Sequence, residues 1–185
     1  MPIKEEFALK QRNPYAVSKV AAEALCYQWS QHADFDIMMA RPFNHIGPKQ
    51  SPHFAIPDFA QQIMKIKQGK QTPQLITGDI DVSRDFSDVR DIVAAYLAIL
   101  ADGRSGEVYN VGSGQDHTIR FLIEKMLQLA GVDASIHIDP ARLRPNEQRQ
   151  VRASTKKLRA HTGWQPHYTL DQTLNDILQE FEGDY

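Results

Sequence analysis

Glu107-Val108-Tyr109-Asn110-Val111-Gly112-Ser113-Gly114 is the stretch on which the fold turns. Residues 107 to 111 read as a strand, and the glycines at 112 and 114 mark a tight turn out of it. Beyond the turn, Ile119, Leu122, Ile123, Met126 and Leu127 recur at helical spacing, and Gly131 ends the helix. Ser135 to Ile138 then alternates as a second strand. Strand, helix and strand in succession point to parallel pairing. The turn resembles a dinucleotide fingerprint only superficially. Asp133 stands at the distance of a ribose-binding acid, but His117 occupies the third glycine position, so the pattern fails.

The alternation continues in both directions. Upstream, Val89, Ile92, Val93, Tyr96, Leu97 and Leu100 form an amphipathic stripe, and Leu75-Ile76-Thr77 is a short strand ended by Gly78. A helix from about Ile56 sets Ile56, Phe59, Ile63 and Ile66 on one face and stops at Gly69. Within Asp36 to Arg41, the run Ile37-Met38-Met39-Ala40 reads as a buried strand, with loop from Pro42 to Pro52. Residues 14 to 31 read as a helix carrying Val17, Val20, Ala24 and Tyr27 at helical spacing. Downstream, a short helix runs from Ser154 through Leu158. Thr169 and Gln172 make a capping-box pattern for a last helix with Leu170, Leu174, Ile177, Leu178 and Phe181. The fold class is α/β.

Composition narrows the function. The 185 residues suit one ordinary domain, with 42% hydrophobic and 24% charged residues. A net charge of −2 gives no global attraction to nucleic acid or anionic membrane. No apolar run is long enough to span a bilayer, and the polar N-terminus lacks a signal-peptide pattern, so the expected location is cytoplasmic. The single Cys26 excludes an intrachain disulfide framework and reads as a small packing residue. The seven histidines show no metal-binding helical spacing.

The chemistry begins at Asn13-Pro14-Tyr15-Ala16-Val17-Ser18-Lys19. Pro14 fits the first turn of a helix, where its missing N–H costs nothing. Tyr15 and Lys19 then lie four apart on one face. A phenol, with an ordinary pKa of about 10, is a poor acid or base at neutral pH. A cation held beside it favours the phenolate, so the spacing suits a tyrosine that exchanges protons.

This run resembles the catalytic helix of the extended short-chain dehydrogenase/reductases, the NAD-dependent epimerase/dehydratase family, which act on nucleotide sugars. Three further segments match in order: Arg41-Pro42-Phe43-Asn44-His45, Arg84-Asp85-Phe86-Ser87-Asp88-Val89 and Tyr109-Asn110-Val111-Gly112-Ser113-Gly114. The resemblance covers nearly the whole chain. It implies the C-terminal part of a Rossmann-type parallel sheet plus the smaller substrate-binding domain. Family members open with a strand and a glycine-rich pyrophosphate turn. Here the lead Met1-Pro2-Ile3-Lys4-Glu5-Glu6-Phe7 resembles the loop just before the catalytic helix. The expectation is therefore a single fragment, residues 1 to 185, of a longer enzyme. It holds the catalytic helix, the last Rossmann strands and interleaved substrate-binding segments, without the glycine-rich half and the Ser or Thr that partners the tyrosine. Such a piece exposes apolar surface and, alone, is expected to be marginal, swapped or oligomeric.

By resemblance, Tyr15 is the proton-exchanging group, and Lys19 tunes it and holds the nicotinamide ribose. Asn44 contacts substrate near its phosphates, His45 lies by the cofactor, and Lys49 stands near basic cofactor contacts of related enzymes. The rival reading of His45 is a loop histidine bonded to backbone. Arg84 is matched to a phosphate, which a guanidinium grips bidentately; the rival is a salt bridge with Asp81 or Asp85. Arg142, Arg144, Arg149 and Arg152 crowd one segment after Pro140, where mutual repulsion invites an anion unless they are simply a solvated face. Arg144-Pro145-Asn146-Glu147 resembles the family's Arg-x-x-Asp/Glu segment, with Arg144 on phosphate and Glu147 on ribose hydroxyls.

The resemblance implies an enzyme using NADP or NAD to reduce the 4-keto group of a GDP-4-keto-6-deoxyhexose. The implied partners are a GDP-sugar substrate and, in the full-length enzyme, a second copy as a homodimer, with no nucleic acid and no membrane. The rivals are a GDP-sugar 4,6-dehydratase, a nucleotide-sugar 4-epimerase and, from another class, a non-catalytic nucleotide-sugar-binding module. A dehydratase needs a further acid–base carboxylate and tends to carry Glu directly after the Asn-His pair; Ile46 follows here, favouring reduction.

Overall fold

Side-chain caps start α-helices at Pro14, Val89, Ile119 and Leu170. The computed structural model describes residues 1–11, 13–32, 34–143 and 147–182. Helix α1 (Pro14–Ser30) opens with Asn13 Oδ1 accepting from Ala16 N at 2.8 Å and Pro14 in the first position. The chain then runs through β1 (Met39–Pro42), β2 (Asn44–Ile46), α2 (Ala55–Lys67), β3 (Gln74–Thr77), β4 (Ser83–Arg84), β5 (Phe86–Asp88) and α3 (Val89–Asp102). It continues as β6 (Val108–Val111), β7 (His117–Thr118), α4 (Ile119–Ala130), β8 (Ser135–Ile138), a 3-10 turn (Pro140–Arg142), β9 (Gln150–Val151), α5 (Lys156–Thr162) and α6 (Leu170–Glu180). Helix α4 ends at Gly131 with φ 63°, and Thr169 and Gln172 form both halves of a capping box at α6.

Pairing is parallel for β1 with β6, β2 with β5, β3 with β8 and β4 with β9; β4 with β7 is antiparallel. The protein is thus α/β, and its sheets are small. The apolar interior falls into two clusters. The larger joins α2, α4 and α6 over β3 through Ile56, Phe59, Ile63, Leu75, Leu122, Met126, Leu174 and Ile177. The smaller sets Ile92, Ala95 and Ile99 of α3 against Tyr109 and Val111 of β6 and Leu158 of α5.

Several expectations are corrected. The loop read from Pro42 to Pro52 contains β2, because residues 44 to 46 pair in register with 86 to 88. The apolar run before Pro42 becomes a strand only from Met39, and Met39 alone in β1 is buried. The helix expected from Ser154 starts at Lys156 and reaches Thr162. On α3, Ile92 is buried, but Val93, Leu97 and Leu100 of the same stripe are 52, 63 and 70% exposed. Helix α1 buries none of its residues; Val17, Leu25, Tyr27 and Trp29 are exposed. Apolar spacing reports which surface seeks cover, and within these residues nothing covers those faces. Among the described residues, no helix is long and apolar enough to cross a membrane.

Candidate active site

The parallel pairing of β2 with β5 builds the site. It sets Asn44 opposite Phe86 and so carries Asn44 and His45 to the neighbourhood of Arg84, far away in sequence. Asn44, His45, Arg84 and Glu147 line one cleft of about 740 Å³. Its other walls are the start of α2 with Phe54 and Asp58, Gly78 and Asp79 after β3, and Ala141, Arg142 and Leu143. The α2 N-terminus carries no side-chain cap, so its partial positive charge is presented to the cleft.

Arg84 resolves its competing readings in an unexpected way. Neither Asp81 nor Asp85 pairs with it. Asp81 meets Arg120, and Asp85 is buried in backbone amides. The Arg84 guanidinium instead gives Nη2 to Glu147 Oε1 at 2.7 Å, and Nη1 to the carbonyls of Ser83 and Gln148, both at 2.8 Å. Glu147, expected to work beside Arg144, is thus tied to Arg84. Arg144 lies outside the described residues. The crowding expected of the other arginines is absent. Arg142 pairs with Asp58 at 2.7 Å, Arg149 with Asp79, and Arg152 with Asp116 at 3.6 Å. The segment stretches across three carboxylate-bearing elements, so closeness along the chain does not become closeness in space.

His45 Nδ1 lies 3.1 Å from the Phe43 carbonyl, which can only accept, so Nδ1 is the donor. The backbone-bonded reading of His45 therefore describes its Nδ1, and the residue still faces the cleft through its place in the lining. Lys49 takes φ 66° and gives its backbone N–H to Glu180; it does not line the cleft.

Tyr15 and Lys19 stand on α1, outside that lining. Tyr15 is 71% exposed, and Lys19 Nζ sits 5.5 Å from its ring centroid, so the pair shares one face. Arg41 anchors α1 to β1: its Nε and Nη2 grip Glu23 at 2.7 and 2.5 Å, and Nη1 reaches the Glu5 carbonyl at 3.0 Å. The hydrogen bond from Arg41 to Glu23 raises the Arg41 pKa above its ordinary value, which keeps the clamp charged.

The Gly112-Ser113-Gly114 turn is an anion cradle that is already filled. Asp85, fully buried, accepts from Ser113 N at 2.9 Å, Ser113 Oγ at 2.6 Å, Gly114 N at 3.0 Å and Ala153 N at 3.0 Å. A Cβ on Gly112 would lie 2.8 Å from Ala153 Cβ, which explains glycine there. These amides hold the protein's own carboxylate, in keeping with a structural turn.

Sequence reasoning passed over Asp58, which shares the cleft wall with Arg142. Its partner lies 84 positions away, so no local pattern points to it. Among the described residues, no group of three or more His, Cys, Asp or Glu is arranged to hold a metal ion.

Comparison with known proteins places this architecture. A family model described as GDP-mannose 4,6 dehydratase matches residues 1–177. The chain is 52% identical to the GDP-6-deoxy-D-mannose reductase of Pseudomonas aeruginosa, over 98% of this chain and 60% of that protein. The solved structure of RMD from Pseudomonas aeruginosa complexed with NADPH superposes with a TM-score of 0.94 at 50% identity, over 98% of this chain and 60% of that one. A putative epimerase from Burkholderia cenocepacia follows at 33% identity and a TM-score of 0.90, over 99% of this chain and 58% of that one. The chain spans about 60% of the length of these relatives. With the family model matching residues 1–177 and a matching architecture, it belongs to the GDP-mannose 4,6-dehydratase family of extended short-chain dehydrogenase/reductases.

Proposed function

We propose that these residues are the C-terminal part of an NAD(P)-dependent nucleotide-sugar reductase. The substrate is a GDP-4-keto-6-deoxyhexose, and reduction at C4 gives GDP-6-deoxy-D-mannose. The observation that carries this reading is one cleft holding Asn44, His45, Arg84 and Glu147, in a chain half identical to a GDP-6-deoxy-D-mannose reductase. In this reading the glycine-rich half belongs to the rest of the polypeptide, and the exposed apolar residues of α1 find cover there and in a homodimer.

The residues suit the nicotinamide end of the cofactor. Tyr15 and Lys19 project together from an exposed face, and His45 lines the cleft. They do not supply a pyrophosphate turn, since Asp85 occupies the amides of Ser113 and Gly114. Tyr15, Lys19 and His45 would hold the nicotinamide end of NADPH or NADH, which would supply the hydride. Tyr15 gives its phenolic proton to the alkoxide forming at C4. Lys19 stabilises the phenolate left behind. Arg84 turns from Glu147 to a substrate phosphate, where the charge-assisted bond is stronger, and Glu147 is released to ribose hydroxyls. Arg144 supports the phosphates, and Asn44 contacts the substrate near them.

The family model's description favours a second reading, GDP-mannose 4,6-dehydratase. Ile46, in the place where dehydratases tend to carry Glu, argues against it. A fusion of this chain to the N-terminal part of the Pseudomonas reductase tests both. Oxidation of NADPH with GDP-4-keto-6-deoxymannose is the expected result, and loss of water from GDP-mannose is the result that overturns it. The 185 residues alone are expected to show no turnover; activity equal to the fusion would refute the view that they are part of a longer enzyme.

A further inference from the structure

Asp58 is an acidic residue in the wall of a cleft read as an anion site, an arrangement that needs a reason. It stands in the first turn of α2 and lines the cleft beside Arg84, Arg142 and Glu147. A carboxylate there repels a phosphate unless it is neutralised or put to use. Its Oδ2 accepts from Arg142 Nη1 at 2.7 Å and from Gln62 Nε2 at 3.0 Å. The contacts continue into β3. Arg142 Nη1 and Gln62 Nε2 both reach the Ile76 carbonyl, at 3.2 and 3.0 Å, and Gln62 Oε1 accepts from Ile76 N at 2.9 Å. Gln62 is buried and anchors the network from below, while the Arg142 side chain stays 43% exposed at the cleft surface.

The Arg142 backbone is fixed as well. Asp139 caps the 3-10 turn through Ala141 N at 2.9 Å, and Asp139 N bonds the Thr77 carbonyl at 2.8 Å. A Cβ on Gly78 would lie 2.8 Å from the Arg142 carbonyl oxygen, so the turn sits directly on the chain leaving β3. Arg142 is held from beneath at its backbone and from the side at its guanidinium, in the same cleft that Arg84 and Glu147 line.

We propose that Asp58 is a positioning residue for the nucleotide: acting through Arg142, its carboxylate fixes that guanidinium on the cleft wall, where it meets the diphosphate of the ligand. The ligand class is a nucleoside diphosphate, and the proposal rests on the nucleotide-sugar reading above. The pair keeps Arg142 oriented on the cleft wall.

The test is calorimetric titration of GDP into the fusion enzyme described above, with Asp58→Asn, Asp58→Glu, Arg142→Ala and the Asp58→Asn/Arg142→Ala double variant, each checked for an unchanged thermal midpoint. Loss of one charge-assisted bond sets the expected effect, so Asp58→Asn weakens GDP binding about tenfold. Asp58→Glu, which keeps the charge, recovers most of the affinity, and the double variant binds no more weakly than Arg142→Ala alone. A purely structural Asp58, acting through Gln62, gives additive losses in the double variant and overturns the proposal. So does wild-type affinity in Asp58→Asn. If Asp58→Asn fails to fold, Asp58→Glu in the wild-type and Arg142→Ala backgrounds decides, since the two backgrounds must respond differently if Asp58 acts through Arg142. A fusion enzyme that binds no GDP sinks the nucleotide reading and this proposal together, whereas a binding fusion indifferent to Asp58 sinks the proposal alone.

Discussion

Asp85→Asn should destabilise this chain by about 2–5 kcal/mol with almost no change in shape. The Asp85 carboxylate is fully buried, and four donors converge on it. Ser113 N and Oγ share Oδ1; Gly114 N and Ala153 N share Oδ2. Asparagine offers one oxygen and one NH2, so one pair of donors must face a donor. Turning the NH2 toward Ser113 is the cheaper choice. The Ser113 hydroxyl can keep its bond to the Gln115 carbonyl, at 3.0 Å, and accept from the amide. Ser113 N is then left without an acceptor inside the protein, which costs roughly 1–3 kcal/mol. The bonds from Gly114 and Ala153 drop from a charged to a neutral acceptor, each losing about 0.5–1 kcal/mol. Urea unfolding of the 185-residue chain followed by circular dichroism reads the difference as a lower midpoint at unchanged slope. A loss below about 1 kcal/mol would refute the reasoning, because it would mean that water or a relaxed turn already satisfies these amides.

Other expectations follow from single contacts. Tyr15→Phe in the fusion enzyme should lower kcat by about 10²–10⁴-fold while leaving GDP titration unchanged, as only the proton is removed; near-normal turnover would take Tyr15 out of the mechanism. Arg84→Ala should weaken GDP binding to the chain about tenfold, read by calorimetry, since one charge-assisted contact to phosphate is lost. Burial pushes the Asp88 pKa up, but hydrogen bonds from Arg90 and Thr173 outweigh it and hold the carboxyl below its ordinary 3.8. A depressed folded value stabilises above the unfolded pKa and is lost as pH falls through the folded one, so this contribution to the urea midpoint should hold down to about pH 5 and fall away below about pH 4. In Arg90→Ala, which removes bonds of 2.8 and 2.6 Å, the fall should begin at higher pH. Gly112→Ala should cost about 1–3 kcal/mol in the same urea assay, because its methyl meets Ala153 Cβ.

The sequence by itself determined the elements whose causes are local. Pro14 behind Asn13 starts α1, Gly131 in the left-handed region ends α4, and Thr169 with Gln172 caps α6. The strand–turn–helix order around Gly112 was equally legible, because periodicity and a tight turn are properties of neighbouring residues. Tyr15 and Lys19 share a face for the same reason: they are one helical turn apart. The tertiary structure alone decided the rest. Strand β2 is three residues long and exists only because β5 lies beside it, and that pairing brings Asn44 and His45 toward Arg84. The partners of the charged groups are long-range as well: Arg84 finds Glu147, and Arg142 finds Asp58. A guanidinium on a flexible stem can reach many carboxylates, and which one it meets depends on how the elements pack and not on spacing along the chain. Exposure follows the same rule. The stripe on α3 was visible as a pattern, yet Ile92 lies in the core and Leu97 in solvent, since burial needs a second surface that no single helix contains.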